Sequence, residues 1–181
     1  MACLKYRQLY RLTNGMEQQK YRHALDTACG MHTFHERETL SFGDISVTPY
    51  FVSHSAYDAY MFLIEAEGKQ LFHAGDLNNW HWKDESTPQE VAKAEGDYLH
   101  ELTTLTQTTQ HLHLAMFPVD PRIGTDFMRG AEQFVDRIKT DVLVPMHFWE
   151  RPAEVVAFGP YAESKGCRYI LLSVPGEGTD F

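Results

Sequence analysis

The chain has 181 residues, of which 43% are hydrophobic and 13% aromatic, enough apolar material for one domain with a packed core and too much for a disordered segment. Its formal net charge is -9 and it carries no run of Lys or Arg, which disfavours nucleic acid as a partner. Its three cysteines (Cys3, Cys29 and Cys167) are widely spaced with no CxxC pair, and Met1 to Leu12 has charges throughout, so neither a disulfide framework nor a signal peptide or membrane span is expected. The cytoplasm is the compartment these features favour.

Residues 1–39 show little regular patterning. Tyr6 to Leu12 and Tyr21 to Ala28 read as short helices, and His32 to Glu38 as loop. From residue 40 the pattern sharpens into a domain expected over 40–174, followed by a tail at 175–181. Ile45 to Val52 is β-rich and leads into Ser53-His54-Ser55. Tyr60 to Ala66 is a mostly apolar run, as a buried strand requires. Glu67-Gly68-Lys69 is a tight turn, and Gln70 to Ala74 returns as the second arm of a hairpin that ends at Gly75-Asp76. Thr87-Pro88-Gln89-Glu90 is a strong helix start: Thr87 caps, Pro88 suits the first helical position and Glu90 completes a capping box. That helix is expected to reach about Thr104, with Val91, Ala94, Tyr98 and Leu102 on one face. Further strands are expected at Leu112 to Val119, Asp141 to Met146 and Cys167 to Val174, separated by helices at Met128 to Ile138 and Glu154 to Ser164. Strands that alternate with helices make an α/β fold with helices covering a sheet.

Several strands end in a group suited to binding: His54, Asp76, Asp120 and His147. In layered α/β folds, sites form where the sheet holds such loops in place. Two imidazoles and a carboxylate suit zinc or a similar divalent ion, and their wide separation in sequence excludes a zinc finger. The structural alternatives stay open at this point. A lone histidine at a strand end is ordinarily a hydrogen-bonding surface residue, and Gly75-Asp76 is also an ordinary turn sequence. His81, between Trp80 and Trp82, lines a substrate pocket or packs in an aromatic corner. Asp120 and Arg122 orient an anionic substrate, or form an ion pair that fixes the Pro121 turn. Tyr57 polarises a substrate oxygen or is a core aromatic. His111 and His113 point the same way on a strand and read as structural or surface residues.

Ser53-His54-Ser55, then His73-Ala74-Gly75-Asp76, then Val144-Pro145-Met146-His147 resemble, in order and context, the later motifs of the metallo-β-lactamase superfamily. The resemblance implies metal ligation by His54 and His147, with Asp76 as the bridging and catalytic ligand. It implies an αββα sandwich, of which this chain supplies the C-terminal part. The family's HxHxDH signature has no counterpart upstream of His54; His32-Thr33-Phe34-His35-Glu36 has a different spacing and no aspartate. A truncated relative is therefore expected, with residues 1–39 as a remnant of the first half. Its zinc site should be incomplete, and its exposed sheet face should favour self-association.

The function implied is metal-dependent hydrolysis of an ester, amide, lactone or phosphodiester bond in a small-molecule substrate, with metal-activated water as nucleophile. Without HxHxDH, activity of this chain is in question. The alternative is a non-catalytic remnant that acts through association.

Overall fold

The computed structural model describes residues 35–52 and 59–181. The described residues form a seven-stranded mixed sheet whose strand order follows the chain. Strands β1 (Leu40–Phe42), β2 (Ile45–Val52), β3 (Ala59–Ala66) and β4 (Lys69–His73) pair antiparallel as a meander. Strands β5 (His111–Pro118), β6 (Lys139–Met146) and β7 (Arg168–Tyr169) continue it in parallel from β4. The switch has a simple origin. The early strands are separated by no more than six residues, too few for a parallel crossover, whereas the later ones are joined through helices long enough for one.

Those crossovers carry α1 (Pro88–Thr108), α2 (Arg129–Val135), α3 (Pro152–Val155) and α4 (Gly159–Ser164). The strands advance one place per crossover, so the helices gather over one face. There Tyr98, Leu102 and Leu105 of α1 and Ala131 and Phe134 of α2 join Met61, Leu63, Phe72, Ala115, Phe117 and Leu143 of the sheet in one buried cluster. Phe134 stacks on both Phe72 and Phe117, at centroid distances of 5.6 and 4.5 Å. The opposite face is half-buried: along β3, Tyr60, Phe62 and Ile64 alternate with the buried Ala59, Met61 and Leu63, as a period of two dictates.

The capping box that starts α1 is present in full. The Glu90 N–H donates to the Thr87 hydroxyl and the Thr87 N–H donates to the Glu90 carboxylate. The helix runs four residues past the expected end at Thr104, because the threonines of its last turns bond back to carbonyls of the preceding turn and do not stop it. Its buried face is Tyr98, Glu101, Leu102 and Leu105, displaced toward the C-terminus from the expected stripe. The expected helix over 154–164 is broken: a 3-10 turn at Val156–Phe158 separates α3 from α4, where Gly159-Pro160 interrupts the backbone pattern. The last strand is the shortest, Arg168–Tyr169, and only one further bond, from the Ile170 N–H to the Leu143 carbonyl, extends its pairing with β6. No helix among the described residues is long and apolar enough to cross a membrane. Cys167 is a buried free thiol, pushed up to about 11 by desolvation.

This topology collects loops at two ends of the sheet. At one end lie the ends of β2, β4, β5 and β6 and the start of β3. At the other lie the starts of β2, β4, β5 and β6 and the end of β3.

Candidate functional site

The first of these ends holds Asp76, Asp120 and His147 of the groups that the sequence marked. β4 delivers His73, after which Gly75 takes a left-handed conformation (φ 57°) and turns the chain to Asp76. A side chain at position 75 would overlap the Tyr60 carbonyl oxygen on β3, so the tight passage requires glycine for space as well as for φ. β6 delivers His147, which also lies in the left-handed region (φ 62°) although it is not glycine. That conformation turns the imidazole back across the sheet end, and its Nε2 stands 3.0 Å from Asp76 Oδ1. A strained histidine placed at a strand end and aimed at a carboxylate is a combination that packing alone does not require.

Neighbouring groups hold the pair in place. The Trp80 indole N–H donates to the Asp76 backbone carbonyl at 2.8 Å, and its ring lies 6.0 Å from that of His147. The Gly75 N–H donates to His73 Nδ1 at 3.0 Å, so in the neutral ring the proton of His73 sits on Nε2. Burial is the main force that lowers the His73 pKa. The nearby His147 lowers it further, while Asp76 acts in the opposite direction.

Asp120 and Arg122 flank the same rim, on the loop after β5. Asp120 is fully buried, accepts from the Arg122 backbone N–H at 3.0 Å and pairs with its guanidinium through both oxygens. The guanidinium, whose pKa these bonds raise, lies over the Trp149 ring at 4.7 Å, two residues beyond His147. The ion pair that fixes the Pro121 turn is thus present, and it leaves Arg122 partly exposed beside the site. His81 turns inward: it is 2% exposed, its Nδ1 bonds to the Asn79 carbonyl at 2.9 Å and its Nε2 has no hydrogen-bond partner. His54 and Tyr57 lie outside the described residues. The strand ends that flank them, Val52 and Ala59, pair with each other at the end of the sheet that holds Asp76 and His147.

Sequence reasoning did not single out His73 or Trp80 as parts of this cluster. Their signal was adjacency to Gly75-Asp76, which carries weight only once the turn is known to be tight. It also set aside His111 and His113 and passed over Asp141. Among the described residues, these three bring ligand atoms within 4.8 Å of one another, at the opposite end of the sheet. Finding them from sequence needs the register that places Leu112 beside Thr140 and Leu114 beside Val142.

The sequence matches the family model described as a beta-lactamase superfamily domain over residues 7–148. No curated protein matches the chain. Among solved structures it is similar to a protein of Parabacteroides distasonis ATCC 8503 whose name reads "Putative metal-dependent hydrolase". The identity is 12% and the TM-score 0.54, over 88% of this chain and 62% of that one. It is also similar to the metallo-beta-lactamase fold protein YhfI from Bacillus subtilis, at 9% identity and a TM-score of 0.51, over 78% of this chain and 52% of that one. Such identities show the fold alone, and the chain spans less than two thirds of the length of either protein. The sheet, its helical layer and the sequence match across the loops of Asp76, Asp120 and His147 lead to one assignment: the chain belongs to the beta-lactamase superfamily and has the α/β architecture of part of a metallo-beta-lactamase fold.

Proposed function

We propose that this chain is a metal-dependent hydrolase in which Asp76 and His147, with His54, hold a zinc-type divalent ion. The observation that carries the reading is the 3.0 Å approach of Asp76 Oδ1 to His147 Nε2 across two loops far apart in sequence. Tetrahedral ligands about 2.0–2.2 Å from zinc stand roughly 3.3 Å apart, so the pair needs a shift of only a few tenths of an ångström to share an ion. Carboxylate and imidazole are also the donor types such an ion takes. The metal would supply Lewis acidity, lowering the pKa of a water and polarising the bond to be cleaved.

The remaining roles fall to this chain's own side chains. Trp80 holds the Asp76 loop by its carbonyl and walls off one side of His147. Arg122, anchored by the buried Asp120, offers a guanidinium at the rim to an anionic group of the substrate. Tyr57 is a second candidate for polarising a substrate oxygen, and His81 shapes the pocket from behind its wall. The acidic charge disfavours nucleic acid, and the rim cation suits a small substrate that carries an anionic group beside an ester, amide, lactone or phosphodiester bond. The odd number of widely spaced cysteines, with no CxxC pair, favours a reducing cytoplasm as its setting.

The test is hydrolysis of a panel of such substrates by the purified chain before chelation, after chelation and after return of zinc. Chelation should abolish turnover and zinc should restore it. Asp76→Ala and His147→Ala should each lower kcat/KM by about 100-fold or more, since several kcal/mol of charge stabilisation is lost. Turnover indifferent to chelation and to both substitutions would overturn the metal reading, and no turnover across the panel would favour the non-catalytic one, in which the chain acts through association.

A further inference from the structure

We infer that the chain has a second divalent-metal site, built by His111, His113 and Asp141 at the end of the sheet opposite Asp76 and His147. His111 and His113 sit two residues apart on β5, so their side chains emerge on the same side, with ring centroids 4.8 Å apart. The parallel register sets Asp141 of β6 beside them, and His111 Nε2 lies 2.9 Å from both of its carboxylate oxygens. The three residues offer ligand atoms within 4.8 Å of one another, and all three are partly exposed, so an ion can reach them from solvent.

A second observation points to the same place. His111 and His113 line an open cleft of about 800 Å³ whose wall also carries Asp44, Glu65 and Glu67 against the single ammonium of Lys69. Such a wall draws cations toward the two imidazoles. Two histidines and one carboxylate form a three-protein-ligand set of the kind that leaves a fourth position open to water or a small ligand, and this ligand chemistry suits zinc, nickel or copper better than magnesium or calcium. Two existing contacts bear on it: the His111–Asp141 contact, which an ion held between the two would replace, and the bond that the Gln70 N–H donates at 3.0 Å to His113 Nδ1. Ligation by that nitrogen gives up a single hydrogen bond, and a half-turn of the ring gives up the same bond while presenting the other nitrogen. Either loss is small beside the binding of a divalent ion.

The test begins with the unaltered full chain, stripped of metal and then titrated with zinc sulfate. Modification of individual histidines by diethyl pyrocarbonate is followed by mass spectrometry. Zinc should protect His111 and His113 several-fold, and should do so equally in the Asp76→Ala/His147→Ala variant, which separates this site from the one proposed for catalysis. In a zinc competition assay against a chromogenic chelator, His111→Asn/His113→Asn should bind one equivalent less than the parent chain. If that variant fails to fold by circular dichroism, the footprint on the parent chain decides alone. Equal modification of His111 and His113 with and without saturating zinc overturns the site and leaves His111 and Asp141 as an ion pair joining β5 to β6.

Discussion

Gly75 and His147 at the candidate site adopt backbone conformations that most side chains avoid, and they do so for different reasons. At Gly75 the left-handed φ coincides with contact against the Tyr60 carbonyl, so both the torsion and the space exclude a Cβ. Gly75→Ala should therefore lower stability by at least about 1–2 kcal/mol in urea denaturation, the usual cost of a left-handed alanine, with the overlap adding to it. Activity should fall further than stability alone explains, because the turn carries Asp76. A variant as stable as the parent would show that the loop repacks freely and that the turn does not hold the carboxylate. At His147 the same torsion is held by a residue that gains nothing from it conformationally, and its counterpart is the 3.0 Å contact with Asp76. The sequence marked His147 by its place after an apolar strand; the torsion that aims it emerges only in the fold.

At the scale of elements, the helices and the sheet share one apolar cluster with an aromatic stack inside it. Phe134 on α2 lies between Phe72 on β4 and Phe117 on β5, fully buried from water. Phe134→Ala should cost about 3–5 kcal/mol in chemical denaturation, as expected for an aromatic removed from a packed core. A loss under 1 kcal/mol would mean that this core has collapsed around the gap. The same helix supports the loop of the site. Gly130 passes so close to Asn78 that a Cβ there would overlap the amide oxygen, and Gln133 accepts from the Asn79 side chain at 3.1 Å. Elements with strong periodicity or a capping box were legible in the sequence. The short ones, α3, α4 and β7, were legible in kind but not in extent, because their ends are set by Gly159-Pro160 and by a single strand neighbour.

Across the whole molecule, several exposed carboxylates are tuned by the fold. Hydrogen bonds from the Thr125 hydroxyl and backbone hold Asp84 below its usual value, and those from the Thr87 backbone and hydroxyl do the same for Glu90. Burial pushes Asp136 up, but bonds from Lys165 and Tyr161 outweigh it and the net direction is down. A carboxylate depressed in the folded state adds stability above its unfolded pKa and loses it as pH falls through the folded value. Glu132, raised mainly by burial, acts in the opposite sense. The contribution of the three depressed groups to the melting temperature should stay constant from neutral pH down to about the ordinary carboxylate values of 3.8 and 4.5, and be lost progressively below them. Asp84→Asn and Glu90→Gln should make that acid limb shallower. An unchanged limb in both variants would show that these bonds form equally in the unfolded chain.

Composition, strand alternation and the Thr87 box were enough to establish an α/β domain, and the motifs around Asp76 and His147 were enough to suggest its superfamily. Those features are local: a period of two, a cap or a turn can be read within a few residues because the forces behind it act over a few residues. What the tertiary structure decided is which distant groups meet. Asp76 reaches His147 because β4 and β6 run parallel on either side of β5 and release their loops at one end of the sheet. His111, His113 and Asp141 converge at the other end through the register of two strands that no short window of sequence specifies. Sheet register is set by the burial of a whole face at once, so it belongs to the folded chain rather than to any one segment of it.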